Sequence, residues 1–205
     1  MGLNSHSGEG HLNPIPLKTP RIICISGDAA SGKTTAARSV LARLDGWRVV
    51  STGSRFREYC ARRGIDPQQI SNLDESFHRE MDQEMRRLLQ TEERIIAEAR
   101  LVGYLARDID DSLRVFCDCP LEVRAERYRA RETVFSPEEA RARVEARDRA
   151  DTENFRRFYG IDYHDAAYYH LILDTHELDP DAVAERILVA ADGRRNLNPT
   201  TGSQL

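Results

Sequence analysis

Lysine is almost missing from this sequence. Lys18 and Lys33 are the two lysines among 30 lysine and arginine residues, so arginine carries nearly all of the positive charge. An ammonium is a compact charge on a flexible stem, whereas a guanidinium is a broad planar fork. A chain that otherwise uses arginine and keeps lysine at position 33 therefore indicates a site in which a guanidinium would not fit.

Several other features are also absent. The sequence has no apolar run of the ~20 residues that a membrane helix needs, and no basic segment followed by an apolar signal-peptide core. Its four cysteines show neither C-x-x-C spacing nor a companion histidine cluster, and its formal net charge is −4. We therefore expect reduced thiols, a cytoplasmic location, no membrane partner and no nucleic-acid partner.

The chain has the length of one ordinary domain. Residues 1–20 and 192–205 are rich in glycine, serine, asparagine and proline, and such segments bury too little apolar surface to offset their ordering entropy. We predict that both are flexible tails around a folded body at 21–191. Oligomeric state is left open between monomer and homodimer.

Strand and helix patterns alternate along the folded body. Apolar, β-branched runs predict strands at 21–26, 47–52, 94–99, 113–119 and 169–174. Helical spacing or start signals predict helices from Ala36 to Leu44, at 54–63 and 75–90, after Pro120, from Ser136 and from Asp179. Gly46 is the expected terminator of the first helix.

This alternation predicts the fold class: an α/β protein with a five-stranded parallel sheet, because parallel strands need crossover connections. Helices should cover both faces of the sheet. The ligand should bind at the carboxyl ends of the strands.

One motif between the first strand and the first helix carries specific chemistry. Residues 27–34, GDAASGKT, fit G-x-x-x-x-G-K-[ST], a P-loop whose backbone N–H groups surround a phosphate. Lys33 should reach the β and γ phosphates of ATP, and the Thr34 hydroxyl should ligate Mg²⁺. The predicted nucleotide-binding residues are Gly27, Asp28, Ala29, Ala30, Ser31, Gly32, Lys33, Thr34 and Thr35.

The scarcity of lysine also indicates which nucleotide is the phosphoryl donor. Lys18 lies in the predicted tail and Lys33 in the phosphate loop, so no lysine remains for the N-K-x-D sequence that reads guanine in GTP-switch proteins. ATP is therefore the expected phosphoryl donor.

Charged residues follow two further predicted strands. Glu98 and Arg100 end the third strand, where a carboxylate could hold a metal-bound water or orient an acceptor hydroxyl and an arginine could bind the acceptor's anionic group. The alternative is an ion pair at a strand end. Arg55 and Arg57 follow the second strand, and either could bind an acceptor phosphate; we favour Arg57.

Arginines are concentrated between residues 124 and 157. Arg124, Arg127 and Arg131 share one helix face, and Arg143 and Arg147 share another. Acidic residues in the same window indicate that many of these arginines form surface ion pairs. Two arginine-faced helices joined by a short loop also predict a lid, at about 124–160, that closes over transferring phosphates.

Together these segments resemble the archaeal-type cytidylate kinase family of P-loop enzymes. The resemblance covers about 22–190, through ISGDAASGKTT, VVSTGSRFR, EARLVGYL, CPLEVRAERYRARE and FYGID. It implies an ATP- and Mg²⁺-dependent kinase acting on CMP or dCMP. It further implies that Ser51, Gly53, Arg57 and Arg100 bind the monophosphate, and that Arg127, Arg131 and Arg147 approach the transferring phosphates. The motif and the strand-end position described above add Lys33 and Glu98 to the predicted catalytic set, which also includes Arg100.

Three alternatives stay open. Ala99 stands where this family has the glycine of E-G-R, and Asn154 where an arginine is common, so the acceptor could be a hydroxyl of a non-nucleotide small molecule. The chain could also be an ATP-binding regulatory protein without catalysis. A basic surface that binds nucleic acid is a further possibility.

Overall fold

The computed structural model describes residues 19–53, 60–62, 64, 75–132 and 135–192. Five parallel strands form one sheet in the order β2-β3-β1-β4-β5, which confirms the predicted fold class. The strands are β1 Ile22–Gly27, β2 Arg48–Ser51, β3 Ile95–Glu98, β4 Ser112–Asp118 and β5 Leu171–Asp174. The last strand begins at Leu171 rather than at residue 169.

Helices cover both faces of this sheet. We number them α1 Lys33–Leu41, α2 Glu75–Thr91, α3 Val102–Leu105, α4 Leu121–Glu132, α5 Pro137–Tyr159 and α6 Pro180–Ala191. Apolar residues of α1 and α6 pack on one face, and those of α2 and α3 on the other. No helix in the described part of the chain is long and apolar enough to cross a membrane.

The central strand β1 is the most deeply packed support of the loop that follows it. All of its residues are buried, with Ile22 and Cys24 in one apolar cluster and Ile23 and Ile25 in the other. Burial on both faces removes apolar surface from water on each side of the sheet. The phosphate loop therefore begins from a strand that packing holds in place.

The register brings the strand ends to one edge. Ile25 lies opposite Glu98 of β3, and Ser51 of β2 also lies opposite Glu98. Because parallel strands end at the same edge of a sheet, the residues after β1, β2 and β3 meet there. This edge holds the candidate site.

Helix α5 begins with the start signals that the sequence predicts. The Ser136 side chain accepts a hydrogen bond from the Glu139 N–H and the Glu139 side chain accepts one from the Ser136 N–H, with Pro137 in the first turn. Gly160 ends the helix in the left-handed conformation at φ 69°. The caps fix where this long helix begins and ends.

The prediction for the end of α1 is wrong. The helix ends at Leu41, and Ala42 caps it in a right-handed conformation, so Leu44 is not helical. Gly46 does have a positive φ of 77°, but it lies in the turn that leads into β2. The glycine therefore marks a turn rather than the helix end.

Some predictions fall outside the described residues. These are most of the predicted helix at 54–63, including Arg57, and the tails apart from residues 19, 20 and 192. The four cysteines lie within the described part of the chain, where all are buried and free of disulfides. Cys119 lies just after β4, which ends at Asp118, one residue before the predicted end of this strand.

Candidate active site

The phosphate loop joins β1 to α1. Gly27 has φ 144°, and a Cβ there would lie 2.5 Å from the Cys117 carbonyl oxygen, so only glycine fits at the strand end. Gly32 has φ 91° and directly precedes the first residue of α1. The loop thus turns into a helix N-terminus, whose free N–H groups favour an anion.

Lys33 lies inside this loop. Its Nζ donates a hydrogen bond to the Asp28 carbonyl oxygen at 2.5 Å, and the residue is 9% exposed. Burial, followed by the positive charge of Arg100, lowers the pKa of Lys33 to about 8. A bound phosphate would oppose both effects, because it places negative charge beside the ammonium.

Thr34 and Glu98 place oxygen atoms together at the mouth of the loop. The Thr34 hydroxyl donates to Glu98 Oε1 at 3.1 Å, and Glu98 is 6% exposed. Oxygen donors of this kind suit Mg²⁺, which commonly takes one or two protein groups and completes its shell with water and substrate phosphates. The described residues contain no cluster of three or more histidine, cysteine, aspartate or glutamate side chains that could hold a metal by themselves.

Arg100 follows β3 and is held by two carboxylates of α5. Its Nη1 donates to Asp148 Oδ1 at 2.9 Å and lies 2.5 Å from Asp151 Oδ2. Burial alone would lower the pKa of Arg100, but the carboxylate charges of Asp151 and Asp148 raise it above its ordinary value. The guanidinium therefore stays charged and fixed in orientation.

Asp148 also reaches the phosphate loop. It accepts a hydrogen bond from the Ala29 N–H at 3.3 Å and another from Arg124. Arg124 in turn donates to the Ala29 carbonyl at 3.2 Å and the Cys119 carbonyl at 2.9 Å. One carboxylate thus joins α5, α4 and the loop.

The structure changes the interpretation of Arg124, because its side chain is buried. The helix spacing placed it with Arg127 and Arg131 on a phosphate-facing lid surface, but it is 7% exposed and bonded to protein groups. Arg124 therefore ties the lid helices to the loop. Asp148 and Asp151 were not found from the sequence, because many charged side chains alternate there and spacing alone does not single out two.

The Asp28 side chain points away from the phosphate site. It accepts hydrogen bonds from the Tyr163 hydroxyl at 2.5 Å and from His164 Nε2 at 3.0 Å. Burial would raise the pKa of Asp28, but the bonds from His164 and Tyr163 hold it well below its usual range. Asp28 was predicted to bind nucleotide; its carbonyl faces Lys33, whereas its carboxylate anchors the segment after α5.

A smaller cavity of about 400 Å³ lies on one side of the phosphate loop. Arg127 lines it, donating to the Thr175 carbonyl at 2.7 Å, and the Thr175 hydroxyl donates to the Ser31 carbonyl at 2.7 Å. Apolar side chains from the start of α6 complete the wall, namely Leu178, Pro180 and Val183. The cavity can hold a planar apolar group next to the loop.

A larger cavity of about 530 Å³ opens on the other side. Lys33, Thr34, Glu98 and Arg100 line its end at the loop. Its other walls come from α2, α4, α5 and the segment between α4 and α5, and they include Phe77, Met81, Asp82, Tyr128, Phe135, Arg143, Asp151 and Phe155. A ligand bound here has a charged end against the loop and an apolar end against the helices.

The remaining predicted residues lie around these two cavities. Thr52 and Gly53 line the larger one, and Ser51 ends β2 just before them. Arg147 also lines it, with Nε 3.9 Å from Asp151 Oδ2. Arg131 borders both cavities and pairs with Glu132 at 3.0 Å.

The fold and the site together define a class: a P-loop kinase fold with its phosphate loop between two cavities. Solved structures share this fold. A gluconokinase from Sinorhizobium meliloti has a TM-score of 0.58 and 14% identity, covering 85% of this chain and 93% of that one. A shikimate kinase from Acinetobacter baumannii has a TM-score of 0.54 and 16% identity, covering 84% and 93%.

The chain belongs to the cytidylate kinase-like family, whose family model matches residues 22–177. It is 36% identical over 165 residues to a cytidylate kinase from Natronomonas pharaonis, covering 79% of this chain and 84% of that protein. A cytidylate kinase from Sulfolobus acidocaldarius is 33% identical over 179 residues, covering 86% and 96%. The predicted family is therefore confirmed.

Proposed function

We propose that this protein transfers the γ-phosphoryl group of ATP to a nucleoside monophosphate, with CMP or dCMP as the preferred acceptor. The observation that carries the proposal is the pair of cavities on either side of one phosphate loop. Two cavities that meet at Lys33 can hold a donor and an acceptor with the transferring group between them. The curated relatives named cytidylate kinase support the same activity.

The donor occupies the loop and the smaller cavity. Its phosphates lie among the loop N–H groups and the Lys33 ammonium, and its base lies between Arg127 and the apolar side chains that open α6. Stacking of the Arg127 guanidinium on the base is favourable because the group is planar and weakly hydrated. Gly27 to Thr35 supply the rest of the donor site.

The acceptor occupies the larger cavity with its phosphate toward the loop. Arg100 binds that phosphate, assisted by Arg57, by Ser51 at the end of β2 and by Gly53 just after it. A guanidinium that is already oriented binds an anionic group without further ordering of its side chain. The apolar walls around Phe77 and Phe155 receive the nucleobase.

Magnesium belongs to this proposal, with Thr34 and Glu98 as the groups that would hold it. When bound, the ion neutralises and orients the donor's β and γ phosphates. The hydrogen bond between Thr34 and Glu98 supports this role, because it keeps the two oxygens 3.1 Å apart. The Glu98 carboxylate also has the position to orient a metal-bound water.

In the reaction, an oxygen of the acceptor phosphate forms a bond to the γ phosphorus of ATP. The bond from that phosphorus to the β–γ bridging oxygen breaks, and the electron pair leaves with ADP. Lys33 and two arginines of the lid at about 124–160, Arg131 and Arg147, stabilise the negative charge of the transition state, whereas Arg127, which the resemblance placed with them, holds the donor's base. Closure of α4 and α5 over the cavities excludes water, which would otherwise accept the phosphoryl group.

We place the enzyme in the cytoplasm, where its four buried thiols would stay reduced. The proposed kinase domain spans residues 21–191. Monomer and homodimer both remain compatible with the proposed site.

An acceptor panel tests the proposal. Purified protein is supplied with ATP and MgCl₂ and, one at a time, with CMP, dCMP, UMP, AMP, GMP and a set of small polyols and hydroxy acids, and ADP release is followed. We expect the highest kcat/KM with CMP or dCMP. Highest activity with a hydroxyl compound, or tight ATP binding without ADP release from any acceptor, would contradict the proposal.

A further inference from the structure

Asp82 is a carboxylate in the part of the larger cavity that the proposed mechanism does not use. It lies on α2 and lines the cavity together with Phe77, His78 and Met81. The groups assigned to phosphate and metal come from elsewhere, namely the loop, the end of β3 and the lid helices. Among the described residues of α2, Asp82 is the one carboxylate that lines this cavity.

One oxygen of Asp82 is held by a tyrosine. The Tyr159 hydroxyl donates to Asp82 Oδ2 at 2.8 Å. Burial, then the charge of Asp82, raises the pKa of Tyr159, so this phenol remains a proton donor across the physiological range. The Arg79 guanidinium lies 5.7 Å from the centre of the Tyr159 ring and donates to the Phe158 carbonyl, which holds the tyrosine in place.

The other oxygen of Asp82 has no such partner. Within the described part of the chain, Oδ1 accepts no hydrogen bond from protein, although the side chain lines the cavity. A carboxylate oxygen has lone pairs for two donors, so a ligand group with an N–H can satisfy it. The fixed Oδ2 orients the free Oδ1.

The surroundings of Asp82 disfavour its charged form. Burial raises the pKa of Asp82 to about 6, and the charge of Asp151 adds to the shift, while Tyr159 and Arg86 oppose it. A buried acid with a raised pKa in a cavity is typical of a functional position. A phosphate is an unsuitable neighbour for Asp82, because two anions would repel each other.

We propose that Asp82 selects the acceptor's nucleobase by accepting, through Oδ1, a hydrogen bond from an exocyclic amino group such as N4 of cytosine. Uracil has a carbonyl oxygen at the corresponding position, and two acceptors facing each other leave both unsatisfied. The base plane packs against Phe77 and Met81, which lie on the same helix beside Asp82. This assignment rests on the proposed nucleoside monophosphate kinase activity and names its specificity-determining residue.

Asp82 distinguishes cytosine from uracil by hydrogen bonding rather than by size. Cytosine and uracil are nearly the same shape, so a purely apolar pocket would separate them weakly. A site that leaves a buried polar group unpaired with the wrong base rejects that base much more strongly. Asp82 supplies such a group, whereas the apolar walls supply only affinity.

The test compares CMP with UMP in the wild type, Asp82→Asn and Glu80→Gln. An amide has nearly the shape of a carboxyl but can donate to a carbonyl oxygen, so Asp82→Asn should lower kcat/KM for CMP and raise it for UMP. We expect the CMP to UMP ratio to fall by about tenfold or more. Glu80 is exposed on the same helix, so Glu80→Gln removes an equal charge and should keep the wild-type ratio.

The outcomes separate the two proposals. The role of Asp82 is overturned if Asp82→Asn keeps the wild-type CMP to UMP ratio. It is also overturned if the variant loses activity equally with both acceptors, as a ribose contact or a folding defect would cause. Either result leaves the proposed kinase activity unaffected. Absence of activity with every nucleoside monophosphate in the wild type overturns the proposed function itself. Asp82→Ala gives a second measurement: equilibrium binding of CMP should weaken far more than binding of UMP, and equal weakening would also contradict the proposal.

Discussion

At the scale of single residues, Lys33 is the group proposed to bind the donor phosphates. We predict that Lys33→Ala folds normally but loses about 100-fold or more in kcat, because one preorganised charge on the phosphates is removed. Lys33→Arg should lose a similar amount, since its planar fork does not fit the space in which Nζ lies 2.5 Å from the Asp28 carbonyl. ADP release with circular dichroism as a folding control checks both variants. Wild-type turnover in either variant would contradict the role.

How far the sequence predicts the site depends on how each residue is fixed. Lys33, Thr34 and Glu98 belong to a motif or end a strand, so their positions follow from local patterns. Asp148 could not be predicted in the same way, because its partners Ala29, Arg100 and Arg124 come from three other parts of the chain. Only the packing of α5 over the loop brings these four residues together.

At the scale of secondary-structure elements, the end of α5 depends on one glycine. Gly160 has φ 69°, and no described atom lies within 4 Å of the position that a Cβ would take, so a substitution there meets backbone strain but no clash. We expect Gly160→Ala to reduce the free energy of unfolding by about 1–2 kcal/mol. Asparagine tolerates this conformation better, so Gly160→Asn should lose clearly less. Urea unfolding compares the two; equal losses would contradict the conformational explanation.

The segment after α5 is joined to the phosphate loop by a titratable pair, His164 and Asp28. Burial would lower the pKa of His164, but its hydrogen bond to Asp28 raises it above 6.5. The contribution of a raised histidine pKa to stability is full below 6.5 and is lost as pH rises through the folded-state pKa. The pKa of Asp28 is lowered, so its carboxylate stays charged and the pair persists down to acidic pH.

We therefore predict that His164→Gln is destabilised relative to the wild type at pH 5.5 and much less so at pH 8.5. Urea unfolding at both pH values measures the difference. His176 is exposed, with its Nε2 3.6 Å from Glu177 Oε1. His176→Gln should therefore have the stability of the wild type at both pH values. A His164→Gln deficit that is equal at the two pH values would rule out the ion pair as its cause.

The elements themselves were largely predictable because their signals are local. The caps at Ser136 and Asp179 act within a few residues, and the structure shows both. The end of α1 was not predictable, because Gly46 suits a left-handed turn as well as a helix cap. The strand that follows decides between the two. Local chemistry thus gives the type of an element more securely than its boundary.

At the scale of the whole molecule, the sheet order places the donor and acceptor groups on neighbouring strands. β1 gives the phosphate loop, β3 beside it gives Glu98 and Arg100, and β4 on the other side leads into the lid helices. Alternation of strand and helix predicts this parallel sheet, but the two cavities are products of how α2, α4 and α5 pack around the loop. Their volumes and linings could not be obtained from sequence patterns.

The central claim is that one phosphate loop joins a donor cavity to an acceptor cavity for direct phosphoryl transfer. The most direct measurement follows the reaction of ATP, MgCl₂ and CMP by ³¹P NMR with the wild-type protein. We expect ADP and CDP to appear in equal amounts with little inorganic phosphate, and Lys33→Ala to form neither at a comparable rate. Conversion of ATP to ADP and inorganic phosphate without CDP would contradict this claim, as would CDP formation by Lys33→Ala at the wild-type rate.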